Sequence, residues 1–250
     1  MNYNFNDNTL LHSVMFNPFK LESILQNGIM SFNEASKSNF SFTRNTFGYN
    51  FDDYISMTRY MYVSFDDKNT SFYNYTLKGI TLIVEDQDFI YNQNEMYFNY
   101  PDEVFVKDKV DKENIKGILL PLKYLDYLLE ELPMFNLKST SYVNIKHTCD
   151  DLINYLKTLN YDVNMPLYNI YLNDLYQVVL KLQKDENNSM LLEEFMEYKI
   201  SLNEFIAKEV QNAFDKKFNK KITTLEEMAT FIAKKYNKKI YYIDNLKYVR

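Results

Sequence analysis

A single carboxylate, Glu103, opens a short apolar run in the stretch NYPDEVFVKD. Two other apolar stretches carry polar positions: LLHS contains His12, and YISMT contains Ser56 and Thr58. Residues two apart lie on the same face of a strand, so these two hydroxyls share a face. A carboxylate held at the end of a strand can stabilise positive charge that develops only in a transition state. These residues are therefore candidates for a catalytic site.

Several familiar sites are absent from the sequence. It contains no glycine-rich phosphate loop, no HExxH, no nucleophile elbow, no CxxC pair and no EF-hand loop. The only histidines are His12 and His147, which excludes a histidine-rich metal site. Cys149 lies two positions after His147, a spacing that diverges on a helix and faces opposite sides of a strand. We therefore predict neither a metal site nor a Cys–His nucleophile pair.

Composition indicates a globular protein without a membrane span. The chain has 250 residues, of which 46% are hydrophobic, enough for one large domain or two small ones. No stretch approaches the roughly 20 apolar residues that cross a bilayer, and the first residues lack a signal-peptide pattern. The single cysteine fits a reducing compartment. We expect the protein to act in the cytoplasm, or to be secreted into a host cell without a cleaved signal peptide.

The four glycines all lie in the first 117 residues, which marks a composition boundary. Before it, β-rich segments alternate with polar turns, and one helix begins near Pro18 and ends at Gly28. We expect the Glu103 strand to pair with IKGILLP after a short turn. The sequence therefore predicts an α+β protein, with a mixed α/β domain over residues 1–121.

After residue 121, the apolar spacing changes to three and four, which predicts a helical region over residues 122–250. The predicted helices lie near residues 121–132, 150–159, 166–183 and 188–218, with a last one after them. Thr223 or Thr224 is a candidate N-cap for its last helix, and KIYYIDNLKYV predicts a final strand or hairpin arm. From residue 215 onward, ten basic residues face four acidic ones, whereas the whole chain has a net charge of −6. This basic tail favours docking on the acidic body, or binding of an anionic partner such as nucleic acid or lipid headgroups.

The order of these features resembles the ADP-ribosyltransferase superfamily over roughly residues 10 to 121. Members with a histidine-type site have a strand with a histidine, a helix like KLESILQNGIMS, a serine-bearing strand and a late strand with the catalytic glutamate. The resemblance implies that Glu103 is catalytic and that NAD is the substrate. His12 would bind the adenosine-side ribose of NAD, and Ser13 the nicotinamide amide through its backbone.

The resemblance also assigns the middle strand. Ser56 and Thr58 resemble the serine strand that braces the site, and a tyrosine nearby, Tyr54, Tyr60 or Tyr62, would stack on nicotinamide. The stretch SFTRN at residues 41–45 competes with YISMT for this role, and we prefer YISMT because a glycine turn leads into it. Pro101 lies where arginine-modifying members carry Glu or Gln, which argues against an arginine acceptor.

The resemblance implies that the protein transfers ADP-ribose from NAD to a macromolecule, or that it hydrolyses NAD. For the transfer, we expect the acceptor to be a protein. Bacterial toxins, effectors and phage-defence factors of this superfamily act in this way. One alternative is a non-enzymatic interaction protein that keeps a degenerate form of the fold. Another is a nucleic-acid-binding protein that uses the basic C-terminal region.

Overall fold

A computed structural model of the chain describes residues 3–15, 17–37, 52–59, 79–91, 103–120, 139–222 and 224–242. The strands in these ranges are β1 (Leu10–Met15), β2 (Ile29–Met30), β3 (Tyr54–Arg59), β4 (Gly79–Val84), β5 (Ile90–Tyr91), β6 (Glu103–Lys107), β7 (Lys109–Val110), β8 (Ile115–Leu120) and β9 (Lys239–Tyr242). The helices are α1 (Pro18–Asn27), α2 (Phe32–Lys37), α3 (Ser139–Thr158), α4 (Met165–Leu182), α5 (Ser189–Phe218) and α6 (Leu225–Lys235). The fold is α+β, as predicted.

Seven strands form one sheet in the order β5-β6-β3-β1-β4-β8-β9, and β2 and β7 form a separate pair. Neighbours in the large sheet are antiparallel except β8 and β9, which are parallel. β1 pairs with β4 along its whole length, whereas among the described residues it pairs with β3 through Leu10–Arg59 and Leu11–Thr58 alone. From His12 onward, β1 has no ladder partner among the described residues of β3, and we call this open part of the ladder the split between β1 and β3.

One face of the large sheet carries the core residues Leu11, Ile83, Leu119 and Tyr241, and we call it the Leu11 face. The partly buried rings of Tyr3 and Phe5 pack against this cluster. Partners directly opposite in a ladder share a face, and successive residues alternate. The β1–β3 and β3–β6 registers therefore place the following residues on the Leu11 face: Thr58, Ser56, Tyr54, Glu103 and Phe105.

Helix α1 forms where the sequence predicts it. The Asn17 side chain caps its first turn by accepting from the amides of Phe19 and Lys20, and Pro18 occupies the first helical position. Gly28 ends the helix with φ = 93°, and its N–H donates to the Ile24 carbonyl over 2.7 Å. The predicted helix start and end at these residues are confirmed.

The expected pairing of β6 with β8 is wrong. β6 pairs instead with β3 and β5, while β8 pairs with β4 and β9. Asp108 follows β6 with a left-handed φ of 57°, and the next two residues, as β7, pair with β2. This turn redirects the chain, so no hairpin joins the two strands.

The chain divides into two compact units, which differ from the predicted domains. The α/β unit contains residues 1–126 and 224–250, and the helical unit contains residues 127–223. Residues 224–250 were predicted to belong to the helical region, but β9 adds a strand beside β8 and α6 packs on α1. The helical region from residue 122 onward thus does not extend to the end of the chain.

Residues 224–242 dock on the acidic body, the first alternative that their charge suggested. The Lys235 ammonium lies 2.8 Å from the buried Glu22 carboxylate of α1, and that bond raises the pKa of Lys235. Lys238 donates to the carbonyls of Lys112 and Ile115. The capping box of α6 is also confirmed, with Thr224 as the N-cap.

The helical unit is built on apolar faces of α3, α4 and α5. Its core includes Leu156, Leu175, Leu202 and Phe214, all of which are essentially inaccessible to solvent. The helices predicted near residues 150–159, 166–183 and 188–218 are present, and α3 begins earlier, at Ser139. Residues 121–132, which were also predicted as a helix, lie outside the described residues.

Candidate active site

The predicted catalytic glutamate is hydrogen-bonded to the predicted serine strand. The Ser56 hydroxyl donates to Oε1 of Glu103 over 2.6 Å. Ser56 lies two ladder pairs away from Glu103, because Thr58 is the direct partner of Glu103 and Ser56 is the partner of Phe105. Both side chains are on the Leu11 face, where Ser56 is exposed and Glu103 half-buried. The carboxylate is therefore oriented by a hydroxyl and still accessible to a ligand.

The His12 side chain also contacts Ser56, at the backbone carbonyl of that serine. Nδ1 of His12 lies 2.9 Å from the Ser56 carbonyl oxygen. Burial of the ring lowers the pKa of His12 to about 4, a shift that the Ser56 carbonyl opposes and the nearby charge of Lys20 reinforces. The ring is therefore neutral at pH 7, and Nδ1 carries the proton because a carbonyl oxygen only accepts. Nε2 is left with the lone pair.

The pleat separates the His12 ring from the other candidate side chains. Leu11 is paired with Thr58, so the next residue, His12, points to the opposite face, beside its partner Leu82. The ring meets the Ser56 carbonyl where the β1–β3 ladder has ended. His12 and Glu103 are thus connected through Ser56, from opposite faces of the sheet.

Ser13 is on the Leu11 face, where its hydroxyl forms a 2.7 Å hydrogen bond with the Thr81 hydroxyl of β4. Thr81 is fully buried. The Ser13 hydroxyl is thus already hydrogen-bonded to the neighbouring strand β4. Along β1, Ser13 lies beyond Leu10 and Leu11, the two residues that pair with β3. This stretch of β1 borders the split between the strands.

Tyr54 and Phe105 extend the site along the Leu11 face. Their rings pack edge to face with centroids 6.4 Å apart. Phe105 is buried and is the direct ladder partner of Ser56. Sequence analysis missed Phe105, although its position two residues after Glu103 on one strand places both on the same face.

Several predicted residues lie outside the described part of the chain. They are Tyr60, Tyr62, Pro101 and the competing stretch at residues 41–45. Cys149 lies in α3, and burial raises the pKa of its thiol to about 12, so it remains protonated at neutral pH.

Comparison with known proteins gives no match among family models, curated proteins or solved structures. None of the helices in the described ranges combines the length and apolar character that crossing a bilayer requires. Within those same ranges, no cluster of three or more His, Cys, Asp or Glu side chains is arranged to hold a metal ion.

Proposed function

We propose that the chain is an NAD-dependent ADP-ribosyltransferase that transfers ADP-ribose to a macromolecule. The observation that carries this proposal is the hydrogen bond from Ser56 to Glu103 beside the split between β1 and β3. The hypothesis needs the His12, Ser56 and Glu103 strands to be neighbours. The observed order β6-β3-β1 satisfies that need, with the serine strand in the middle.

The chemistry explains the value of an oriented carboxylate. In the reaction, the bond between nicotinamide and the ribose C1′ breaks, and nicotinamide leaves with the bonding electron pair. Positive charge then develops on the ribose. The Glu103 carboxylate, held by the Ser56 hydroxyl at 2.6 Å, would accept a hydrogen bond from a ribose hydroxyl and stabilise that charge. A nucleophile of the acceptor then attacks C1′ and releases its proton; with water as the nucleophile, the product is free ADP-ribose.

Other residues would hold the substrate. The backbone of Ser13 borders the split and would bind the nicotinamide amide, as the resemblance implies. Tyr54 lies on the Leu11 face with Glu103 and packs beside Phe105. This position supports Tyr54 as the ring that stacks on nicotinamide. Thr58, the direct ladder partner of Glu103, would brace the carboxylate strand.

The two rival functions remain hypotheses. An interaction protein of degenerate fold would bind its partner equally well without NAD and without Glu103. A nucleic-acid-binding protein would need free lysines after residue 215, but several contact their own unit. Lys216 donates to the Asn160 carbonyl, and Lys235 and Lys238 bind groups of the α/β unit. These contacts favour a structural role for the lysines that make them.

The test is release of nicotinamide from NAD by the purified protein in the presence of cell lysate, which supplies acceptors. We expect Glu103→Gln to lower the release rate by roughly 10³-fold or more, because the amide loses the charge that stabilises the transition state. Glu113→Gln is the matched control: Glu113 is a solvent-exposed carboxylate in the turn before β8. Full activity of Glu103→Gln would overturn the assignment, and so would loss of activity in both variants.

A further inference from the structure

We propose that His12 is a positioning residue that acts on Glu103 through Ser56. Its Nδ1–H holds the Ser56 carbonyl, and the Ser56 hydroxyl in turn holds the carboxylate. This inference rests on the proposed function where it concerns catalysis. It differs from the expectation that His12 binds the ribose of NAD directly.

The strand geometry gives His12 this role. β3 is held on one side by five ladder pairs with β6, whereas on the other side its described residues form two pairs with β1, at Thr58 and Arg59. Ser56 lies beyond those two pairs. The imidazole takes the place of the missing backbone partner and bonds the Ser56 carbonyl at 2.9 Å. β6 holds Ser56 on one side through its pair with Phe105, and His12 holds the Ser56 carbonyl on the other, next to the 2.6 Å bond to Glu103.

The two roles for His12 use different atoms. Positioning uses Nδ1, which donates to the carbonyl, whereas a ribose contact would use the remaining nitrogen, Nε2. The pleat also favours positioning, because the His12 side chain leaves β1 on the face opposite to Glu103. A substrate group bound against the carboxylate would therefore meet Ser56 before it met the imidazole.

Two amide substitutions separate the nitrogens. The side-chain N–H group of Asn lies at the same distance from the backbone as the Nδ1–H of His, and the side-chain amide of Gln can place its oxygen, an acceptor, at the distance of Nε2. If His12 acts by positioning, His12→Asn should change kcat only a few-fold. His12→Gln should lower kcat by roughly 10- to 100-fold, because a carboxylate displaced by an ångström loses that much rate. In both variants, KM for NAD should stay near the wild-type value.

The opposite pattern would overturn the inference. If His12 binds ribose through Nε2, His12→Gln should retain activity, and His12→Asn should raise KM for NAD. A double-mutant cycle adds a check against simple misfolding: adding His12→Gln to Ser56→Ala should cost little more than Ser56→Ala alone if both act along one path. Fully additive losses would contradict the path through Ser56.

A readout without NAD separates this inference from the proposed function. The ¹³C shifts of the Ser56 carbonyl and the Glu103 side-chain carboxyl report the two hydrogen bonds directly. Both should stay near wild type in His12→Asn and move in His12→Gln. If the wild type releases no nicotinamide but the shifts behave in this way, the proposed function fails and the positioning contact stands. Equal shift changes in both variants would overturn the positioning role whatever the activity.

Discussion

Burial of the single residue His12 predicts how the free energy of unfolding changes with pH. Burial lowers its pKa to about 4 from the ordinary 6.5. Between these two values, the unfolded chain binds a proton that the folded chain excludes, so the free energy of unfolding decreases as pH falls. The contribution of His12 is complete above pH 6.5, is lost through this window, and is constant below about pH 4.

We expect this loss to be about 1–3 kcal/mol, from about 1.4 kcal/mol per pKa unit with a discount for a half-buried ring. His12→Asn keeps the donor to Ser56 but has no group that titrates in this range. Urea denaturation at pH 7.5 and pH 4.5 should therefore show a smaller decrease in unfolding free energy for His12→Asn than for the wild type. Equal decreases would mean that the imidazole is not desolvated as described.

The residue types of the candidate site could be predicted from the sequence, but their contacts could not. The types and order of His12, Ser56 and Glu103 are visible in the sequence, and residues two apart, such as Glu103 and Phe105, are predictably on one face. Their contacts depend on the register of β3 against β6 and on the end of the β1–β3 ladder. Register is set by packing between segments far apart in sequence, so the role of the Ser56 carbonyl could not be predicted.

At the scale of elements, local patterns predicted the segments better than their partners. The C-terminal cap Gly28 of α1 and the capping box of α6 were visible because their hydrogen bonds join residues within four positions. The pairing of β6 was not, because its hairpin with β8 was inferred from proximity in sequence. The left-handed turn at Asp108 and the short β2–β7 pair separate those strands.

The packing between the parallel strands β8 and β9 leads to a second prediction about stability. A Cβ at Gly117 would lie 2.7 Å from the Tyr241 ring, so this glycine provides the space in which the ring packs. We expect Gly117→Ala to lower the unfolding free energy by about 1–3 kcal/mol, as overpacking of a core usually does. Urea denaturation measures the change. In a Tyr241→Leu background, the same substitution should cost clearly less, whereas an equal cost would assign the effect to the strand backbone.

In the molecule as a whole, the composition boundary near residue 117 separates β-rich sequence from mostly helical sequence. It does not coincide with the bounds of the α/β unit, which also contains residues 224–250. A chain that leaves a unit and returns to it gives no compositional signal when the returning segment is itself helical. Here α6 is such a segment, and only contacts such as Lys235–Glu22, far apart in sequence, assign it to the α/β unit. The helical unit is therefore an insertion between β8 and α6.

This topology predicts that the helical unit can be removed. Parallel neighbours such as β8 and β9 need a connection of a dozen or more residues, usually with a helix, and α6 supplies one. We expect a protein in which a short Gly-Ser linker replaces residues 127–223 to give a dispersed ¹H–¹⁵N spectrum with the ¹³C shifts of the Ser56 carbonyl and Glu103 carboxyl unchanged. Removing residues 127–242 is the control: it also deletes α6, β9 and the Lys235–Glu22 ion pair, so it should not fold. An unfolded product from the first deletion would show that the α/β unit depends on the inserted helices, and the site would then have to be studied only in the full chain.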